Sequence, residues 1–376
     1  MSSAAFHGPW DLRTLKRTPQ CEWGERLGLL QQVYYANEPY CGAPTRVFGY
    51  YGSPKDATGR APAMVLVHGG GGKAFPEWAQ MWAERGYAAL AMDLGGRGPD
   101  GARLPDGMPE QDDQAKFSDV VRGVKETWSY HAVAGVIRGA SLLAARPDVD
   151  PDRIGITGIS WGGYLTCIVA GLDDRLKLAV PVYGCGFLHH NSCWLPTFEK
   201  MPPGDRELWL NTFEPSLYLP GAHMPTLWVN GTNDFAYPLD SYQKSNRLPR
   251  GPRTLCVTVG MAHGHEPGWA PLEIGLFADA CLHGGTPLPR IGAMQADRGQ
   301  VSAQFESPTR IVTGGLHYTA DRGAWPERKW FTLPAEVLAR AVSAHLPPQR
   351  PIVFFVTITD ERGATVSTEY SEIAVV

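Results

Sequence analysis

Ser160 sits in Gly158-Ile159-Ser160-Trp161-Gly162, a G-x-S-x-G pentapeptide. Arg153 to Thr157 ahead of it read as a short buried strand, and Gly163 to Gly171 behind it as the start of an apolar helix. A serine on a tight strand-to-helix turn presents its hydroxyl outwards. The flanking glycines are needed because a Cβ there would meet neighbouring backbone. The spacing predicts a nucleophile elbow. The bland alternative is an ordinary glycine-rich turn.

A serine hydroxyl is a weak nucleophile at neutral pH. It needs a base within hydrogen-bond reach and a carboxylate to orient that base. In a doubly wound sheet both belong on loops at strand C-terminal ends, later in sequence than the serine. Asp234, in Gly231-Thr232-Asn233-Asp234 after the strand Thr226 to Asn230, is the candidate acid; the alternative is a solvated turn aspartate. Asp240 is expected in the first turn of the next helix.

The base is sought in Met261-Ala262-His263-Gly264-His265-Glu266-Pro267-Gly268, just beyond a core strand expected to end at Val259. His265 is the predicted base and His263 the alternative. Gly264 can turn the backbone sharply, and Glu266-Pro267-Gly268 then forms a rigid return to a helix at Pro271. His263 sits closer to the strand end and is expected to be structural.

A tetrahedral intermediate needs two donors aimed at its oxyanion. The backbone N–H of Trp161 is one candidate. The glycine loop after the apolar strand Ala63 to Val67 offers Gly70 and Gly71 as the other. A phosphate cradle is the competing reading of this loop, but Gly72-Lys73-Ala74 lacks the Ser/Thr that would follow. His189-His190 and His263-x-His265 are weak zinc signals, and H-E-x-x-H does not occur. No metal and no cofactor is expected. Trp161, Trp194 and Trp209 are candidate substrate contacts; the alternative for any tryptophan is core packing.

Strands must alternate with helices to position these groups. Thr45 to Tyr51, Ala63 to Val67, Tyr87 to Met92, Arg153 to Ile159, Leu178 to Tyr183, Thr226 to Asn230 and Thr254 to Val259 read as strands. Pro76 to Arg85, Val120 to Ala145 and Leu272 to Leu282 read as helices. The fold class is α/β, a doubly wound, mostly parallel sheet covered on both faces. Residues 1–285 form the expected catalytic domain. Within it, residues 1–44 are a loop-rich extension with one strand candidate at Gln32 to Ala36. The aromatic stretch 187–223 is read as a cap over the serine or an extra packing layer. After the linker Thr286-Pro287-Leu288-Pro289, short strands suggest a small immunoglobulin-like β-sandwich over 286–376, supplying none of the catalytic groups.

The elbow, the loop Val67-His68-Gly69-Gly70-Gly71-Gly72, the run Asp150 to Gly163, Gly231 to Asp234 and Gly264-His265-Glu266 together resemble the α/β-hydrolase superfamily. The likeness lies near its dienelactone hydrolase, prolyl oligopeptidase and acetyl xylan esterase branches, over roughly residues 40–285. Gly-His-Glu is similar to the base loop of acetyl esterases in that superfamily. The resemblance implies ester hydrolysis through an acyl-enzyme, including on acylated carbohydrates, and the C-terminal strands look like the appendage of acetyl-xylan-esterase-like proteins. Three departures stand out. Many such relatives carry an export signal, many have one histidine in the base loop, and dienelactone hydrolases usually place cysteine in the elbow.

With 43% hydrophobic and 19% charged residues, the 376-residue chain can build a sizeable core. A net charge of -4 without a basic cluster disfavours nucleic acid, and no run is long and apolar enough for a membrane span. Met1 to Gln20 lacks an apolar signal region, so the chain as given is expected to be cytoplasmic, or secreted if it is a processed form. Seven scattered cysteines read mostly as free thiols, with Cys185 and Cys193 as one conceivable pair. The expected partner is a small-molecule or carbohydrate ester. The other enzyme reading is a peptidase or amidase of the oligopeptidase branch, whose large propeller this chain has no room for. The non-enzyme reading is a binding protein on a hydrolase scaffold.

Overall fold

The computed structural model describes residues 6–54 and 59–374. The first five residues of the polar N-terminal segment and the last two of the expected sandwich over 286–376 lie outside the described residues.

The strands of the central sheet are β1 (Cys21–Leu27), β2 (Leu30–Ala36), β3 (Arg46–Gly52), β4 (Ala61–Val67), β5 (Ala88–Met92), β6 (Val149–Ile159), β7 (Leu176–Val182), β8 (Thr226–Gly231) and β9 (Arg253–Thr258). They pair in the order β1-β2-β3-β5-β4-β6-β7-β8-β9. Pairs from β5 to β9 are parallel, and those on the β1 side are antiparallel. Every residue of β4 and β5 is buried, as expected of parallel strands covered on both faces.

The helices are α1 (Leu12–Leu15), α2 (Pro76–Glu84), α3 (Asp113–Lys116), α4 (Trp128–Ala144), α5 (Trp161–Leu172), α6 (Leu195–Lys200), α7 (Pro203–Phe213), α8 (Leu239–Asn246), α9 (His265–Trp269) and α10 (Leu272–Leu282). Proline at the first turn of α2 starts that helix without losing a needed donor, and Trp78 and Trp82 bury its inner face. The long helix expected from Val120 is shorter. Gly123 adopts φ 126°, and Thr127 caps α4 by accepting the Tyr130 N–H at 3.3 Å; two 3₁₀ turns fill the stretch before it.

Two strands at the edges were not visible in the sequence. β1 is exposed along nearly its whole length, and so is β10 (Arg290–Asp297), so neither shows a two-residue apolar period. The remaining strands are β11 (Gln300–Glu306), β12 (Ile311–Thr319), β13 (Phe331–Val337), β14 (Ala341–His345), β15 (Ile352–Asp360), β16 (Thr365–Ser367) and β17 (Ser371–Ile373). All pairs among them are antiparallel. One sheet runs β10-β11-β14-β13; the other runs β13-β12-β15, with β16 and β17 end to end along β15.

These strands lean on the parallel sheet. Ser367 pairs with Leu255 of β9, and the Thr365 N–H donates to Glu273 of α10 at 2.7 Å. The Asn233 side-chain amide donates to the carbonyls of Pro326 and Arg328 at 3.0 and 2.7 Å. The loop of the candidate acid is thus tied to the C-terminal strands. All seven cysteines are free, and Cys185 does not pair with Cys193.

Candidate active site

Ser160 stands between β6 and α5 with φ 57° and ψ −117°. A positive φ on a non-glycine residue costs about 1–3 kcal/mol and persists only where its surroundings over-determine it. Here they do. The Ser160 N–H donates to the Val182 carbonyl at 2.9 Å, and the Ser160 carbonyl accepts from Tyr164 at 2.9 Å. A Cβ on Gly162 would collide with the Val67 carbonyl oxygen, and one on Gly158 with that of Gly162. Both outer glycines of the pentapeptide are therefore required by close backbone approach.

Asp234 is buried in the turn after β8. One carboxylate oxygen accepts the N–H groups of Ala236 and Tyr237 at 2.9 and 2.7 Å. The other lies 2.6 Å from Nδ1 of His263, and Nε2 of His263 lies 2.9 Å from Ser160 Oγ. Nδ1–H donates to the carboxylate, leaving Nε2 free to accept the serine proton. Ser160, His263 and Asp234 form a continuous relay, and all three precede residue 286.

The imidazole that meets Ser160 is therefore that of His263, not that of His265 as the sequence led us to expect. β9 ends at Thr258, and the loop to His263 is long enough to return the imidazole over the serine. Gly264 is fully extended (φ 176°, ψ 173°), so His265 points elsewhere and opens α9. Its Nε2 accepts the Gly69 N–H at 3.0 Å.

Two aromatic rings hold His263, and sequence reasoning found neither. Tyr183 stacks on it with centroids 4.5 Å apart, and Phe235 lies at 4.8 Å. Tyr183 follows β7 at φ 60°, which no local pattern announces. Phe235 was legible only as the residue after the acid; it is 57% exposed, which marks it as a rim residue rather than core.

The glycine loop lies against the nucleophile: a Cβ on Gly69 would be 2.9 Å from Ser160 Cβ. The Trp161 N–H is at the first position of α5, where no intrahelical acceptor exists. Gly70 and Gly71 donate to no backbone or side-chain acceptor among the described residues. Gly70 lies against the Trp161 ring: a Cβ there would be 3.2 Å from Cδ1. His68, passed over as a site residue, is buried beside this loop, and burial pushes its pKa down to about 4.

The three tryptophans separate. Trp194 is partly exposed, with its ring 4.7 Å from that of Trp161. Trp209 is fully buried, stacks on Phe117 and donates through Nε1 to the Lys116 carbonyl at 2.8 Å. It is core, which corrects its reading as a substrate contact. The ammonium of Lys116 lies 4.9 Å from the Trp161 centroid and 5.7 Å from that of Trp128. Burial lowers its pKa, and the nearest carboxylate oxygen, on Asp113, is 3.8 Å away.

The strand order, the strained serine and the relay define an α/β-hydrolase fold. Residues 32–192 match the family model described as acetyl xylan esterase (AXE1). That match covers less than half of the chain.

Among curated relatives, it is 26% identical to the putative hydrolase YtaP of Bacillus subtilis strain 168 over 157 residues, 38% of this chain and 49% of that protein. It is 25% identical to the acetyl esterase Axe7A of Xylanibacter ruminicola over 167 residues, 41% of this chain and 37% of that protein. The chain thus spans half or less of these relatives. Among solved structures, the acetyl xylan esterase from Paenibacillus sp. R4 superposes with a TM-score of 0.61 at 21% identity, covering 72% of this chain and 92% of that one. Acetyl xylan esterase 1 from Thermoanaerobacterium sp. gives 0.55 at 18% identity, over 73% and 94%. At such identities the likeness is one of fold.

Proposed function

We propose that this protein is a serine carboxylic-ester hydrolase that removes small acyl groups, acetyl above all, from acylated carbohydrates. The observation that carries the reading is the Ser160–His263–Asp234 relay at 2.9 and 2.6 Å. The match of residues 32–192 to the acetyl xylan esterase family supports the acetyl preference.

Ser160 Oγ attacks the ester carbonyl carbon as its proton passes to His263 Nε2. Asp234 accepts the Nδ1–H and stabilises the imidazolium that forms. The oxyanion is met by the N–H groups of Trp161, Gly70 and Gly71. Collapse breaks the bond to the alcohol oxygen, which leaves with the proton held by His263, and acyl-Ser160 remains. Water attacks that ester, giving a proton to His263. The second collapse releases the acid and returns a proton to Ser160. Trp161 is buried, which corrects its reading as a substrate contact, and the partly exposed Trp194, edge-on to it, is the ring left to meet the flat face of a sugar.

The test is a hydrolysis panel of nitrophenyl esters of rising chain length, acetylated xylo-oligosaccharides, lactones and aminoacyl amides. The expected order puts acetyl esters first, with the acetylated sugars turned over. Preferential cleavage of the amides would replace the reading by a peptidase, and inertness towards every ester would remove it.

A further inference from the structure

We propose that His265 is a positioning residue that fixes the oxyanion-binding loop by accepting the Gly69 N–H, an inference that rests on the ester-hydrolase reading. The acceptor is Nε2, 3.0 Å from the Gly69 nitrogen, so Nδ1 of His265 carries the proton. From the other side, His68 Nε2 accepts the Leu94 N–H at 2.8 Å. Its Nδ1 must then be the protonated nitrogen, and it donates to the Gly69 carbonyl at 2.7 Å. Both polar groups of the Gly69 residue are held by imidazoles.

The loop then closes on itself. The Gly72 N–H donates back to the Gly69 carbonyl at 3.1 Å, making Gly70 and Gly71 the central residues of a turn. Gly71 takes φ 67°, the left-handed conformation that favours glycine. With Gly69 engaged by His265, Gly70 and Gly71 are the loop amides left for an oxyanion. A Cβ on Gly72 would lie 2.6 Å from His68 Nδ1 and 2.7 Å from His265 Nε2, so the loop threads between the two rings. A Cβ on Gly69 would lie 2.9 Å from Ser160 Cβ, which places the clamp directly against the nucleophile. The ring of His265 is itself held by Phe75 at 4.7 Å, and Phe75 by Trp269 at 5.3 Å.

This arrangement gives the second histidine a task distinct from proton transfer. An oxyanion donor works only if it is in place before charge develops, since reorganisation at that moment would cost barrier height. His265 is the group that reaches across from the base loop to the glycine loop. It couples the position of the donors to that of the base. The bond needs a neutral imidazole, and burial keeps His265 neutral down to about pH 4.

The test compares His265→Leu, which keeps bulk and removes the acceptor, with His265→Gln, whose amide oxygen can reach the same place. Kinetics on nitrophenyl acetate are paired with inhibition by phenylboronic acid, a tetrahedral mimic. The Leu variant is expected to lose kcat by about 10–100-fold with KM little changed, and to bind the boronate correspondingly weaker; the Gln variant should recover to within about fivefold of the original chain. A Leu variant with kcat within about twofold of the original, or a Gln variant as impaired as Leu, overturns the proposal. Should the Leu variant not fold, 15N spectra of histidine-labelled original chain decide, with the His265 signal assigned by its loss in the Gln variant. An unprotonated, hydrogen-bonded Nε2 supports the clamp, and a protonated Nε2 overturns it. These spectra need no turnover. Failure of the clamp is therefore separable from failure of the esterase reading, which shows as no ester hydrolysis by the original chain.

Discussion

Tyr183 stacks on His263 at 4.5 Å with the ring planes inclined by 25°, and its hydroxyl donates to the carbonyl of Ala262 at 2.8 Å. One side chain thus holds both the imidazole and the peptide immediately before it. The base is fixed from its face and from its backbone.

Tyr183→Phe keeps the stacking and deletes the hydroxyl. A net hydrogen bond is worth about 1 kcal/mol, so the expected effect is a fall in kcat of about fivefold with KM unchanged. Steady-state kinetics on nitrophenyl acetate measure it. A change confined to KM would mean that Tyr183 contacts substrate instead of steadying the base.

Trp209 and Trp194 should respond oppositely to truncation. Trp209→Ala empties a fully buried site and deletes the bond to the Lys116 carbonyl, costing about 3–5 kcal/mol of stability. Trp194→Ala, at a partly exposed ring, should cost about 1 kcal/mol or less and raise KM for bulky alcohols. Urea titrations and kinetics on both variants check the contrast. Equal loss of stability would contradict the division into core and wall.

Acid should destabilise the fold well above the range of ordinary carboxylates. Burial depresses His68 and His131 to about 4 from 6.5. Above pH 6.5 both are neutral, folded or unfolded, and impose no penalty. As pH falls from 6.5 to 4 the unfolded chain takes up protons that the folded chain refuses, so stability is lost across that window. Each contributes about 1.4 kcal/mol per pH unit. Asp93 acts the other way: burial raises it to about 6, so the folded chain gains a proton first and one histidine's worth is offset between pH 6 and 4. These three groups together give a loss of about 1.4 kcal/mol per unit there, and burial of His265 and His317, also lowered to about 4, makes the fall steeper. Urea midpoints at pH 7.5, 6 and 5 measure it, and a flat profile would contradict the buried neutral pair.

The parts of the site fixed by short-range chemistry were readable in the chain. Gly158 and Gly162 flank a serine because the carbonyls of Gly162 and Val67 leave no room for a Cβ at either, and Asp234 lies in the turn directly after β8. The choice between His263 and His265 was not readable. They are two residues apart in one loop, and the extended Gly264 sends them to different partners, one to Ser160 and one to Gly69. Trp209 and Trp194 carry the same side chain; only tertiary packing of α7 against Phe117 tells core from wall. The solvated edge strands β1 and β10 left no period to detect, and α4 starts only at its Thr127 cap, after Gly123 at φ 126° has broken the stretch from Val120.

The central claim is that Ser160 is a nucleophile activated by His263. The most direct measurement is kcat/KM for nitrophenyl acetate in His263→Ala beside the original chain and Ser160→Ala. Members of a relay act as a unit, so both variants should fold and fall by at least about 1,000-fold. A His263→Ala enzyme within about tenfold of the original, a barrier change of about 1.4 kcal/mol, would contradict the account.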